Sequence, residues 1–155
     1  MNKKGTDLKA IKLFTIGFTH KSAEQFFHLL ENAGVKRIID IRLHNSSQLA
    51  GFAKRDDLEF FLKRIAGIEY LHMPELAPTD VILKTYKKKE ISWNAYKRRF
   101  LKLLEQRNIA EMISPEMFDR ACLLCSEASP DYCHRRLVAE YISKNSIGSR
   151  IGHLV

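Results

Sequence analysis

Apolar positions along the chain change period in a regular way. LFTIG (Leu13 to Gly17) is a short run of β-branched, aromatic and aliphatic residues stopped by glycine, the pattern of a buried strand. A helical stripe follows, with Phe26, Phe27, Leu29, Leu30 and Ala33 on one face and Gly34 as the stop. Ser22 and Gln25 stand at capping-box spacing at its start. RIIDI (Arg37 to Ile41) then predicts a second strand, so the first forty residues read as a βαβ unit with parallel strands.

The alternation continues. Asp56 and Asp57 open a second helix with Leu58, Phe61, Leu62 and Ile65 on one face and Gly67 as its end, and IEYLHM (Ile68 to Met73) is a third strand. After Pro74 and Pro78 come a helix over Asp80 to Lys88 and a longer one capped by Ser92, with Trp93, Tyr96, Phe100, Leu103 and Leu104 inward. ACLLC (Ala121 to Cys125) is a fourth strand. Pro130 suits the first turn of a last helix ending near Lys144, and RIGHLV closes the chain as a fifth strand. The expectation is one α/β domain over residues 1–155: a three-layer α/β/α sandwich around a mostly parallel, five-stranded, Rossmann-like sheet with a helical insert.

Length agrees, since 155 residues suit a single domain at roughly 150 residues per domain. Hydrophobic residues make up 45% of the chain, yet no apolar run approaches the roughly 20 residues that cross a bilayer, so no membrane association is expected. The basic start lacks a sustained apolar stretch with a cleavage site, which predicts a cytoplasmic protein. Three cysteines, Cys122, Cys125 and Cys133, are an odd number and argue for reduced thiols over a disulfide framework. The net charge of +8, with clusters at Lys87 to Lys89 and Lys97 to Arg99, predicts attraction to anions, nucleic acid among them.

Ligands of parallel α/β sheets gather outside the carboxyl ends of the strands. Polar residues fall at those ends repeatedly: Thr19, His20 and Ser22 after the first strand, Asp40 and Arg42 at the second, His72 and Glu75 at the third, and Cys125, Ser126 and Glu127 after the fourth. Any one of these reads as an ordinary loop residue, but four strand ends together predict one crevice.

LLCSEASPDYCHRRL (Leu123 to Leu137) adds Cys133, His134 and Arg135 to it. Cys133 and His134 face the sheet at the start of the last helix, where a thiol beside cations can be activated, although a small buried cysteine fits the same position. Arg135 and Arg136 are placed on the solvent side or rim, and an anion nearby would suit them. The C-x-E-x5-C-H spacing matches no close cysteine pair typical of structural zinc, and neighbouring helix residues diverge by about 100°, so no metal site is predicted. G-x-G-x-x-G, phosphate-loop, G-x-S-x-G and H-E-x-x-H motifs are missing, and the cofactor is left unspecified.

TIGFTHKSAEQFFHLLENAGVKRIIDIR, HMPELAP and LLCSEASPDYCHRRLVAEYI, in that order, resemble the recurrent blocks of the domain-of-unknown-function 488 family from about Leu13 to Val155. The family pattern falls on Gly17, Ser22, Asp40, Arg42, Ser47, Phe52, Tyr70, Glu75, Leu76, Cys125, Glu127, Pro130, Cys133, His134 and Arg135. Asn45 and Gln48 depart from it, standing where the family has a proline and a basic residue. The resemblance implies the α/β fold and the place of the site, and implies no reaction.

The leading expectation is therefore an enzyme of unspecified reaction, acting on a phosphorylated small molecule, nucleotide or nucleic acid. Arg42 and Arg135 would hold the anion, Glu127 or His134 would act as acid or base, Asp40 would orient a partner, and Cys133 or Cys125 would be the nucleophile. Thr19, His20, Ser22, Ser47, Glu75 and Cys125 complete the expected lining. The alternatives are a non-catalytic nucleic-acid-binding module built on the insert around Lys87 to Lys102, and a metal-sensing or thiol-redox protein.

Overall fold

The structure, a computed structural model, describes residues 10–46, 51–145 and 149–155. Five parallel strands form one sheet: β1 (Ile11–Gly17), β2 (Arg37–Asp40), β3 (Glu69–His72), β4 (Ala121–Cys125) and β5 (Ser149–Leu154), in the order β3-β2-β4-β1-β5. The helices are α1 (Ala23–Ala33), α2 (Arg55–Phe61), α3 (Asp80–Lys87), α4 (Trp93–Gln106), α5 (Ile109–Met112), α6 (Pro115–Phe118) and α7 (His134–Asn145). The three-layer α/β fold expected from the sequence is the one observed. The last strand to join the centre, β4, lies between β1 and β2, so the β1-α1-β2 crossover spans one strand position.

Side chains of successive strand residues point to opposite faces, and the two cores follow that period. Ile16, Ile38, Cys122 and Leu124 face α1 and α2, where Phe26, Phe27, Leu30, Leu58 and Leu62 cover them. Leu13, Ile39, Ala121 and Leu123 face the other layer, covered by Tyr96, Phe100 and Leu104 of α4, Phe118 of α6, and Leu137, Val138 and Ile142 of α7. Burial on both faces explains why β4 reads as a continuous apolar run rather than an alternating one.

Local signals set most boundaries. Ser22 Oγ accepts from Gln25 N–H at 3.1 Å while Gln25 Oε1 accepts from Ser22 N–H at 2.9 Å, and Gly34 ends α1 in the left-handed conformation. Two expectations needed correction. The stripe predicted through Ile65 breaks because the chain widens into a π-helical turn at Leu62–Ala66, which leaves Ile65 exposed while Leu58 and Leu62 stay buried. Pro130 does not open the last helix. Residues 126–133 form an irregular loop, Tyr132 takes a positive φ of 57°, and α7 begins only at His134. No helix among the described residues is long and apolar enough to cross a membrane.

Candidate functional site

The carboxyl ends of β2 and β4 are bonded side by side, and the pairing continues one step beyond β2 as Ile41 N–H donates to Leu124 O at 3.1 Å. Above them lies a cleft of about 160 Å³. Its inner wall holds Arg42, Cys125, Cys133 and His134; Leu83, Tyr86 and Lys87 of α3, Tyr96 of α4, and Tyr132 form the outer wall. A larger hollow of about 850 Å³ lies at the opposite, amino end of β2 and β3, around Arg37, Glu69 and Met117, with its one guanidinium already paired to Glu69 at 2.6 Å. The sulfur and imidazole groups belong to the smaller cleft.

Asp40 and Arg42 form its base. Asp40 is fully buried at the last position of β2, and Arg42 Nε and Nη2 donate to its two carboxylate oxygens at 2.9 Å each. Arg42 N–H donates to Oδ1 at 3.1 Å, and Tyr70 O–H donates to Oδ2 at 2.6 Å. Burial and its bond to Asp40 push the Tyr70 hydroxyl far up, so it remains a donor. The Arg42 guanidinium rests over the Phe18 ring, 5.3 Å from its centroid, and is only 3% exposed. Its third nitrogen, Nη1, is buried with no hydrogen-bond partner among the described residues.

The loop after β4 builds the other side. Ser126 O accepts from Thr19 N–H at 3.1 Å and from Thr19 Oγ1 at 2.5 Å. Arg135, placed at the solvent side by helical phase, is instead fully buried. Because α7 starts late, its second residue reaches back under the loop: Nη1 donates to Glu127 O, Nη2 to Ala128 O at 3.4 Å, and Nε to Thr15 Oγ1 at 3.3 Å. Arg136 alone takes the exposed position, paired with Asp131 and Glu140. The loop passes so close to β1 that a Cβ on Gly17 would overlap the Glu127 carbonyl and lie 2.6 Å from Arg135 Nη1. Glycine is required there by space rather than by backbone angle.

This brace fixes Cys125, Cys133 and His134 together. Cys133 Sγ donates to Cys125 Sγ at 3.1 Å, and His134 Nδ1 lies 3.6 Å from the same sulfur. His134 Nε2 sits 2.8 Å from Ile41 O; a carbonyl only accepts, so the proton is on Nε2 and Nδ1 is turned to the sulfurs. Phe100 packs edge-to-face on the imidazole at 5.9 Å. The hydrogen bond from Cys133 pulls the Cys125 thiol well below its ordinary range against the effect of burial, with help from His134 and the Glu127 backbone N–H. Cys133 moves the opposite way, because donating to Cys125 and burial both favour its neutral form. Burial disfavours charge on His134, but the Cys125 sulfur and Ile41 O outweigh it and raise its pKa. Cys122, on the far face of β4, is a buried thiol pushed up by desolvation and takes no part.

Asp40, Arg42, Cys125, Glu127, Cys133 and His134 are thus brought to one place, with Glu127 exposed at the cleft and Asp40 beneath it. Arg135 braces that place from behind. Thr19 and His20 border a different hollow on the α1 side of the loop, Ser22 is occupied in capping α1, and Glu75 is exposed in the turn Pro74–Leu76 with its carbonyl bound by Arg107 at 2.7 Å. Ser47 lies outside the described residues. Sequence reasoning passed over Tyr86 and Tyr132 as site residues, and read Lys87 and Tyr96 only as surface charge and core. A signal existed for the α3 pair, because Leu83, Tyr86 and Lys87 recur at helical spacing on one face.

Fold and site define a parallel α/β protein with a thiol-imidazole cluster and a buried arginine-carboxylate pair at the carboxyl edge of its sheet. The family model described as Domain of unknown function DUF488 matches residues 22–142, and the chain belongs to that family. No curated protein and no solved structure matches it.

Proposed function

We propose that the chain is an enzyme that seats a small anionic group in this cleft and acts on it at the Cys125, Cys133 and His134 cluster. The observation that carries the reading is Arg42. Its buried guanidinium is oriented by two bonds to Asp40, Nη1 has no partner among the described residues, and the residue borders the cleft. An unsatisfied buried donor costs about 1–3 kcal/mol, and a ligand oxygen would recover it. Lys87 on the opposite wall adds a second cation that Asp40 does not pair, facing the Glu127 carboxylate at the same cleft. A cleft of 160 Å³ is smaller than the roughly 300 Å³ at which sites for drug-sized ligands begin, so it fits a phosphate or carboxylate head with the rest of the substrate outside.

The test is calorimetry and thermal shift of wild type against inorganic phosphate, small carboxylates and nucleotides, repeated with Lys87→Met and with the charge-balanced double variant Asp40→Asn/Arg42→Gln. Affinity should fall about tenfold or more in the double variant, since a hydrogen bond to a charged group contributes about 1.5–3 kcal/mol. A folded double variant that binds as wild type does, or a Lys87→Met protein with undiminished affinity, refutes the reading. The non-catalytic nucleic-acid module draws its support from a separate feature, the exposed Lys97, Arg98, Arg99 and Lys102 of α4. Binding of oligonucleotides alone, steeply weakened by salt and indifferent to Arg42, would favour that reading instead.

A further inference from the structure

The expectation that Cys133 and His134 diverge rested on both being inside a helix. Cys133 precedes α7, and the donor atoms of Cys125, Cys133 and His134 lie within 4.8 Å of one another, all three residues buried. We propose that Cys125 Sγ, Cys133 Sγ and His134 Nδ1 bind one zinc-class divalent ion, with the fourth coordination position facing the cleft.

Two of the three distances lie near those of a tetrahedral site, and the third is within 4.8 Å. Tetrahedral zinc with Zn–S near 2.3 Å and Zn–N near 2.0 Å asks for about 3.5 Å between sulfur and nitrogen and about 3.8 Å between sulfurs. Cys125 Sγ to His134 Nδ1 is 3.6 Å, and the two sulfurs at 3.1 Å need to part by a fraction of an ångström. The surrounding groups are those a metal-bound histidine uses: Nε2–H is held by a backbone carbonyl, which fixes the tautomer and aims Nδ1. Phe100 fixes the ring plane, while Arg135 holds the loop that spaces the two cysteines. Among the described residues the set is two sulfurs and one nitrogen with no carboxylate, which disfavours magnesium and calcium, and three protein ligands are too few for the four-cysteine ligation of an iron-sulfur cluster.

Three protein ligands with one open position are the pattern of catalytic rather than structural zinc. The cleft that borders all three ligands also borders Arg42, so an anionic substrate held by Arg42 would lie beside the open position. Binding is balanced as Zn²⁺ plus two thiols and one neutral imidazole giving a neutral bis-thiolate centre and two released protons. With water as fourth ligand the ion would supply an activated hydroxide or polarise a substrate oxygen. The ligand set stands on its own geometry; only this catalytic consequence rests on the cleft's being the reactive site.

The full chain, reduced with a non-chelating phosphine, is analysed for metal by mass spectrometry, stripped, and titrated with zinc against a chromophoric chelator and separately with cobalt(II). One equivalent per chain and the intense charge-transfer bands of tetrahedral thiolate-bound cobalt are expected. Cys125→Ser, Cys133→Ser and His134→Gln should each weaken zinc by at least the 10- to 100-fold that even a supporting residue is worth, while Cys122→Ala should change nothing. A folded wild type that takes up neither metal, a weak octahedral cobalt spectrum, or full uptake by the Cys125→Ser/Cys133→Ser double variant overturns the proposal. A Cys125–Cys133 disulfide forming equally fast with and without saturating zinc does the same. If the single variants unfold, the cobalt spectrum of wild type still decides. Asp40→Asn/Arg42→Gln should keep the metal while losing the anion, so the two readings fail separately.

Discussion

Replacing Arg42 by methionine removes one member of a buried ion pair and strands the other. Asp40 has no exposure, and among the described residues four bonds reach its carboxylate: two from the Arg42 guanidinium, one from the Arg42 backbone N–H and one from Tyr70. The variant keeps the last two and loses the charge that compensated the buried carboxylate. Breaking a buried pair by removing one partner costs about 3–5 kcal/mol, and for a chain of this size each kcal/mol lowers Tm by roughly 2–4 °C. The expected fall is therefore about 6–20 °C. Adding Asp40→Asn should recover much of it, because neutral asparagine can still accept from Tyr70 and no charge is left buried. Urea unfolding of wild type, Arg42→Met, Asp40→Asn and the double variant closes the cycle and gives the coupling directly. A loss under about 1 kcal/mol in Arg42→Met, or a double variant whose loss equals the sum of the singles, would show that the pair is not energetically coupled and refute the reasoning.

Two further outcomes follow from the same geometry. Gly17→Ala should destabilise the fold by about 1–3 kcal/mol or more, as overpacking does, and displace the loop at Glu127; unchanged urea unfolding and an unchanged thiol-alkylation rate at Cys125 would refute the close approach. His153 has its pKa lowered, first by burial and then by Arg135 and Arg136, and its Nδ1 lies 2.6 Å from Thr15 Oγ1. The unfolded chain binds this proton more readily, so the neutral ring's contribution is present above about pH 6.5, the ordinary histidine value, and is lost as pH falls through the lower folded value. Urea unfolding from pH 7.5 to pH 5 should show stability falling with acid and a shallower fall in His153→Gln; identical slopes would count against it.

Much of the fold was legible because periodicity and caps agree along the chain. Ser22, Gln25 and Gly34 delimit α1, and the doubly buried β4 announces itself as ACLLC. Strand order was not legible. Nothing local in ACLLC says that it inserts between β1 and β2, since that depends on two faces being covered at once by α1, α2, α4 and α7. Ile65 shows the limit of a helical stripe: a π-helical turn shifts phase within one residue, and the pattern before it reads the same.

The placement of the candidate site residues was legible at the level of strand ends and differed at the level of one helix start. Placing Pro130 in the first turn of α7 sets Cys133 inside a helix, sends Arg135 to the rim and separates Cys133 from His134. A start at His134, reached through the positive φ of Tyr132, reverses all three. The buried Arg135 then satisfies the carbonyls of Glu127 and Ala128, which turn inward where Gly17 leaves room for them. Without that guanidinium the loop that carries Cys133 toward Cys125 would leave these part-buried carbonyls unpaired. Of the two arginines expected to hold a ligand, Arg135 is thus the one that braces the loop of the thiols, while Arg42 borders the cleft and keeps an Nη1 without a partner among the described residues.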